Sequence, residues 1–110
     1  MPPRDPQLLL PLPTATFQIL LALSDQDRHG YSIMQEVVAS GAKLGPATLY
    51  TTIKRLLADG LIEELDERPD QDDQRRRYYE LTKFGRLVAQ AELARLQSLV
   101  RQAKISLAQR

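Results

Sequence analysis

From Thr14 onward, apolar residues recur at intervals of three and four. Phe17, Leu20, Leu21 and Leu23 fall on one side of a first predicted helix. A polar break at Asp25, Gln26, Asp27 and Arg28 closes on His29 and Gly30. A second helix follows from about Tyr31 to Ser40, with Ile33, Met34, Val37 and Val38 on its apolar face. Gly41 stops it, because glycine adopts the left-handed backbone of a helix end without a steric penalty. After the short turn Ala42-Lys43-Leu44-Gly45, a third helix begins near Pro46, whose missing N–H is not needed in a first turn. Leu49, Ile53, Leu56 and Leu57 form its stripe, and Asp59-Gly60 ends it. Two helices joined by so short a turn give a helix-turn-helix outline.

The period then changes. Leu61 to Leu65 and Arg77 to Leu81 are short runs rich in branched and aromatic residues, as in two strands of a hairpin. Alternation places Tyr79 and Leu81 beneath that hairpin. Thr82 can cap a last helix through its side-chain oxygen. From Lys83 to near the end the chain holds no proline, and no glycine after Gly85. Val88, Ala91, Leu96, Leu99, Ala103 and Leu107 stay near one seam, flanked by Leu87 and Val100. Ahead of all this, residues 1–13 carry five of the seven prolines, so they read as an extended arm. The expected fold is mainly α with a small β-hairpin: a winged helix-turn-helix over 14–82, an arm over 1–13 and a long C-terminal helix over 83–110.

At 110 residues the chain has room for one core, and a helix this long needs a partner to cover its apolar face. Zero cysteines exclude disulfides and thiolate chemistry. One histidine without a neighbour is no metal site, and it is better placed to begin the second helix or pack beside Tyr31. The nucleophile–base pairs of common enzymes and phosphate-binding glycine motifs are missing, so no catalysis and no cofactor are expected. No apolar run is long enough to span a membrane, and nothing resembles a secretion signal; the expected location is cytoplasmic.

The net charge of +1 conceals an uneven distribution. Residues 59–73 hold eight acids against Arg68, whereas residues 83–110 hold six bases against Glu92. Such asymmetry fits a nucleic-acid partner, and the third helix supplies a surface for one. With its stripe buried, it presents Thr48, Thr51, Thr52 and Arg55, flanked by Tyr50 and Lys54. Arginine can pair bidentately with guanine, and threonine offers a hydroxyl and a methyl in a major groove roughly 12 Å wide. Arg75, Arg76 and Arg77, where the hairpin loop returns to its second strand, are placed for phosphates or the minor groove.

These segments together resemble the PadR family. His29-Gly30-Tyr31, Pro46-Ala47-Thr48-Leu49-Tyr50, Ile53-Lys54-Arg55-Leu56, Gly60-Leu61-Ile62 and Arg76-Arg77-Tyr78-Tyr79-Glu80-Leu81-Thr82, then Gly85, run in the family's order over about residues 14–86. The resemblance implies a homodimeric transcriptional repressor that binds double-stranded DNA at an inverted repeat and is released by an effector or signal of unknown identity. It also implies that Tyr50 and Lys54 approach the phosphate backbone, that Thr48, Thr51 and Thr52 enter the groove, and that Val88, Ala91, Leu96, Leu99, Ala103 and Leu107 form the dimer seam. Many members carry a basic residue where Thr51 stands. Some short members stack flat hydrophobic drugs on a tryptophan of the last helix, which this chain lacks. The competing class is a winged-helix protein-interaction module that binds no specific DNA.

Overall fold

A computed structural model describes residues 4–65 and 77–109. A 3-10 turn at Pro6–Leu9 precedes helix α1 (Thr14–Ala22), strand β1 (Arg28–His29), helix α2 (Gly30–Ala39), helix α3 (Pro46–Ala58), strands β2 (Ile62–Glu64) and β3 (Tyr78–Leu81), and helix α4 (Lys83–Leu107). The winged helix-turn-helix with a long last helix is therefore the observed architecture. The hairpin gains a strand, however. β1 pairs antiparallel with β3, giving the order β1-β3-β2. Arg28 faces Tyr79 and His29 faces Tyr78 in that ladder, while Ile62 faces Leu81 on the other side.

The core draws on every helix. Ile19, Leu20, Ile33, Val37, Leu49, Ile53, Leu56, Leu61, Ile62 and Val88 are all essentially buried. Two stripe positions from the sequence face solvent instead: Leu21 and Val38 are each about half exposed, at 46% and 49%. They sit at the edges of their helical stripes, where no other described residue covers them fully. Tyr78 is buried alongside Tyr79, against the expected alternation. The His29 ring meets the Tyr78 ring edge-on, with centroids 5.3 Å apart.

The predicted helix ends are present. Gly41 and Gly60, with positive φ of 98° and 74°, follow α2 and α3. Thr82 caps α4 by accepting the Gly85 N–H at 2.9 Å. His29 caps α2: its Nδ1 accepts the Ser32 N–H at 3.2 Å. The polar break before α2 contains a buried cation, Arg28. Its guanidinium donates to the Ala22 carbonyl at 2.6 Å and to the Ser32 hydroxyl at 3.2 Å, and pairs with Asp25 and Glu36. It ties the end of α1 to α2, so the helix-turn-helix starts from a fixed point.

The proline-rich arm is docked rather than simply extended. Asp5 caps its 3-10 turn, Leu12 is buried in the core, and Leu9 and Leu10 pack against it. The arm meets α4 at Glu92, a carboxylate on the core face of that helix only 2% exposed. Arg95 grips Glu92 bidentately at 2.7 and 2.8 Å, and the Leu12 N–H donates to the same carboxylate. Hydrogen bonding from Arg95, followed by that of Leu12, lowers the Glu92 pKa despite its burial.

Candidate nucleic-acid interface

Helix α3 lies on the core along Leu49, Ile53 and Leu56, and this decides what its other faces present. At 3.6 residues per turn, Thr51 and Lys54 stand opposite the buried stripe. Thr48 and Arg55 occupy one flank and Tyr50 the other; all five are exposed, Tyr50 by half. Thr52 is different. It is partly buried, its hydroxyl donates back to the Thr48 carbonyl at 2.8 Å, and it lines a cavity of about 170 Å³ between α3 and the arm. The acid-free run from Pro46 to Ala58 makes the exposed face uniformly neutral or positive.

On the Tyr50 flank, α3 and β3 enclose a cleft of about 460 Å³ with an apolar floor at Ile53 and Leu57. Tyr50 and Tyr79 line its walls, and Lys54 and Arg77 bring cations to it. Burial first, and the Glu64 carboxylate second, raise the Tyr79 phenol above its ordinary pKa, so the group stays neutral. Arg77 reaches Glu64 at 3.6 Å, with both side chains well exposed. A pair so open to water is weak, and the guanidinium can exchange its partner for a phosphate. Gly30 has a steric reason to be glycine, since a Cβ there would lie 3.0 Å from the Tyr50 hydroxyl oxygen. Its absence lets the Tyr50 ring lie against the start of α2. Arg75 and Arg76 fall outside the described residues.

The seam of α4 divides along its length. Val88 is wholly inside the chain's own core, a correction to its assignment to an open seam, and Ala91 is partly covered. Beyond them the apolar positions emerge. Leu96 is partly exposed, and Leu99, Val100, Ala103 and Leu107 are exposed, Leu107 by 81%. Arg4, Arg28, and the Glu92–Arg95 pair are structural residues that periodicity did not single out. For Glu92 a signal existed: a charge four residues after Val88 lies on the core face and needs a partner.

The model of the transcriptional regulator PadR-like family matches residues 19–91, most of the winged domain and the first turns of α4. The chain belongs to the PadR family. A relative, the transcriptional regulator Rv3488 of Mycobacterium tuberculosis, is 36% identical over 84 residues, 76% of this chain and 77% of that protein. Among solved structures, a PadR family transcription regulator of Clostridium difficile aligns with a TM-score of 0.78 at 23% identity, covering 86% of this chain and 99% of its own. The transcriptional regulator BldR of Sulfolobus solfataricus aligns at 0.70 and 24% identity, covering 88% and 64%. Those two likenesses carry the fold. This PadR-like chain is thus a transcriptional regulator and not an enzyme, built on a DNA-binding winged helix. No helix among its described residues is long and apolar enough to cross a membrane.

Proposed function

We propose that this PadR-like protein is a homodimeric repressor that binds an inverted-repeat operator in the cytoplasm through α3 and the wing. The observation carrying this reading is the exposed face of α3, where Thr48, Thr51, Lys54 and Arg55 stand on a helix with no acidic residue of its own. Thr48 and Thr51 are small enough to let the helix enter the major groove, and Arg55 can reach a base edge or phosphate. Tyr50, Lys54 and Arg77 converge on the wing side, where a backbone phosphate would run. Thr52 supports the helix rather than reading bases, and the sequence adds Arg75 and Arg76 directly before Arg77 as further cations for phosphate. The functional division is an arm over 1–13, a reading domain over 14–82 and a pairing helix over 83–110.

The second copy is inferred from α4. Leu93, Leu96, Val100, Ala103 and Leu107 follow the 3-4 spacing of a coiled-coil seam. Leu99 flanks that seam. Two-fold pairing places two recognition helices on half-sites about one helical turn apart. A small-molecule effector would act by changing that spacing.

Binding of the purified chain to duplex DNA from upstream of its own gene, titrated with salt and unrelated competitor DNA, tests the reading. Competitor-resistant binding that weakens steeply with salt is the expected result. Weak, sequence-indifferent binding would instead favour a winged helix that docks on a protein.

A further inference from the structure

We propose that Arg4 is a positioning residue for DNA recognition, fixing the C-terminal end of α3 against α4 without touching DNA itself. This rests on the DNA-binding reading above. The Arg4 guanidinium donates to the carbonyl of Asp59, the residue that caps α3, and lies 4.3 Å over the ring of Phe84 in the first turn of α4. One side chain from the arm thereby touches the end of the reading helix and the start of the pairing helix.

The chemistry suits arginine. A helix C-terminus leaves carbonyl oxygens without intrahelical donors and carries partial negative charge, so a cation there is favourable. A planar guanidinium can donate in its plane while stacking its face on an aromatic ring, which an ammonium cannot do equally well. The same corner is held from the other side. The Thr82 hydroxyl donates to the Gly60 carbonyl at 2.7 Å, and the Thr82 N–H donates to the Leu61 carbonyl at 3.1 Å. Those contacts belong to the wing and α4. Arg4 is the contribution of the arm, and a Cβ on Gly60 would stand 3.0 Å from its Nη2.

The arm is anchored independently at its other end. Leu12 is buried, and its N–H is held by Glu92, itself gripped by Arg95. Stretched between two fixed points, the arm holds Arg4 at the corner. Lys54 and Arg55 lie about one turn before Asp59, so a tilt at this end displaces the side chains that face DNA.

The test compares the full-length wild type with Arg4→Ala and Arg4→Lys on the same upstream duplex across a salt series, with thermal melting of each protein. Arg4→Ala is expected to weaken binding about fivefold at fixed salt, the scale of a helix-end cation plus a cation–π contact. The slope of log affinity against log salt should stay unchanged, and Arg4→Lys should recover part of the loss. A slope reduced by about 0.9 would overturn the proposal, because Arg4 would then be a phosphate contact. Unchanged affinity, or a lower melting temperature with unchanged affinity, would overturn it too. Were Arg4→Ala unfolded, Arg4→Lys and Arg4→Gln would carry the same comparison. Absence of salt-dependent binding by the wild type would remove both readings, whereas intact wild-type binding beside an unaffected Arg4→Ala removes only this one.

Discussion

A methyl group on Gly85 would overlap the carbonyl oxygen of Leu61 and stand 2.8 Å from Cδ1 of Leu81. The first neighbour is backbone and cannot step aside, so α4 can cross the wing only where it has no side chain. Gly85→Ala should cost about 2–4 kcal/mol, read as a lower urea midpoint, although alanine is the better helix former. Glu92 makes a second prediction at this scale. Its folded pKa lies below the unfolded value, chiefly through Arg95, so its stabilisation is present above the usual carboxylate range and is lost as pH falls through the folded pKa. Glu92→Gln should therefore lower the melting temperature at neutral pH, and the gap to the wild type should narrow in acid. A gap that stays constant down to acid pH would show that the charge is not what holds the arm.

Among the elements, α3 carries the functional claim. Lys54→Ala with Arg55→Ala should weaken operator binding at least roughly tenfold, and the salt slope should fall by about 0.9 for each phosphate contact removed. Circular dichroism should not change, since both side chains are exposed. This helix was readable because Leu49, Ile53 and Leu56 define its inner face, and the outer face follows by rotation. Other elements were readable only in part. A two-residue strand such as β1 is too short to show any period, so the third strand of the sheet was invisible. Periodicity marks an apolar stripe without saying which edge its neighbours cover, hence Leu21 and Val38. For the arm, prolines exclude an α-helix but say nothing about docking. What holds it, a buried backbone N–H on Glu92, is set by tertiary contact alone. The candidate DNA-facing residues are legible in the sequence, whereas the turn of the Thr52 hydroxyl back onto the Thr48 carbonyl depends on its side-chain rotamer, which periodicity does not encode.

At the scale of the whole molecule, α4 is the feature whose apolar seam stays largely uncovered. Its 25 residues span about 38 Å, and the core takes hold of only the first half. Leu96→Asp with Leu99→Asp should yield monomers by sedimentation or light scattering while the winged domain still folds, because both positions lie beyond the buried segment. A surviving dimer would place the seam elsewhere. The exposed half also bears on gene control. Its last turns, from Leu96 to Leu107, amount to a helix of marginal length when nothing lies against them. Under the proposed pairing, a second molecule supplies the missing cover, so folding of this segment obeys mass action. Well below the pairing threshold, the amount of the operator-competent form then rises with the square of the number of chains. A cell that halves its stock of this protein would lose about three quarters of that form, so abundance itself becomes a signal that α4 transmits.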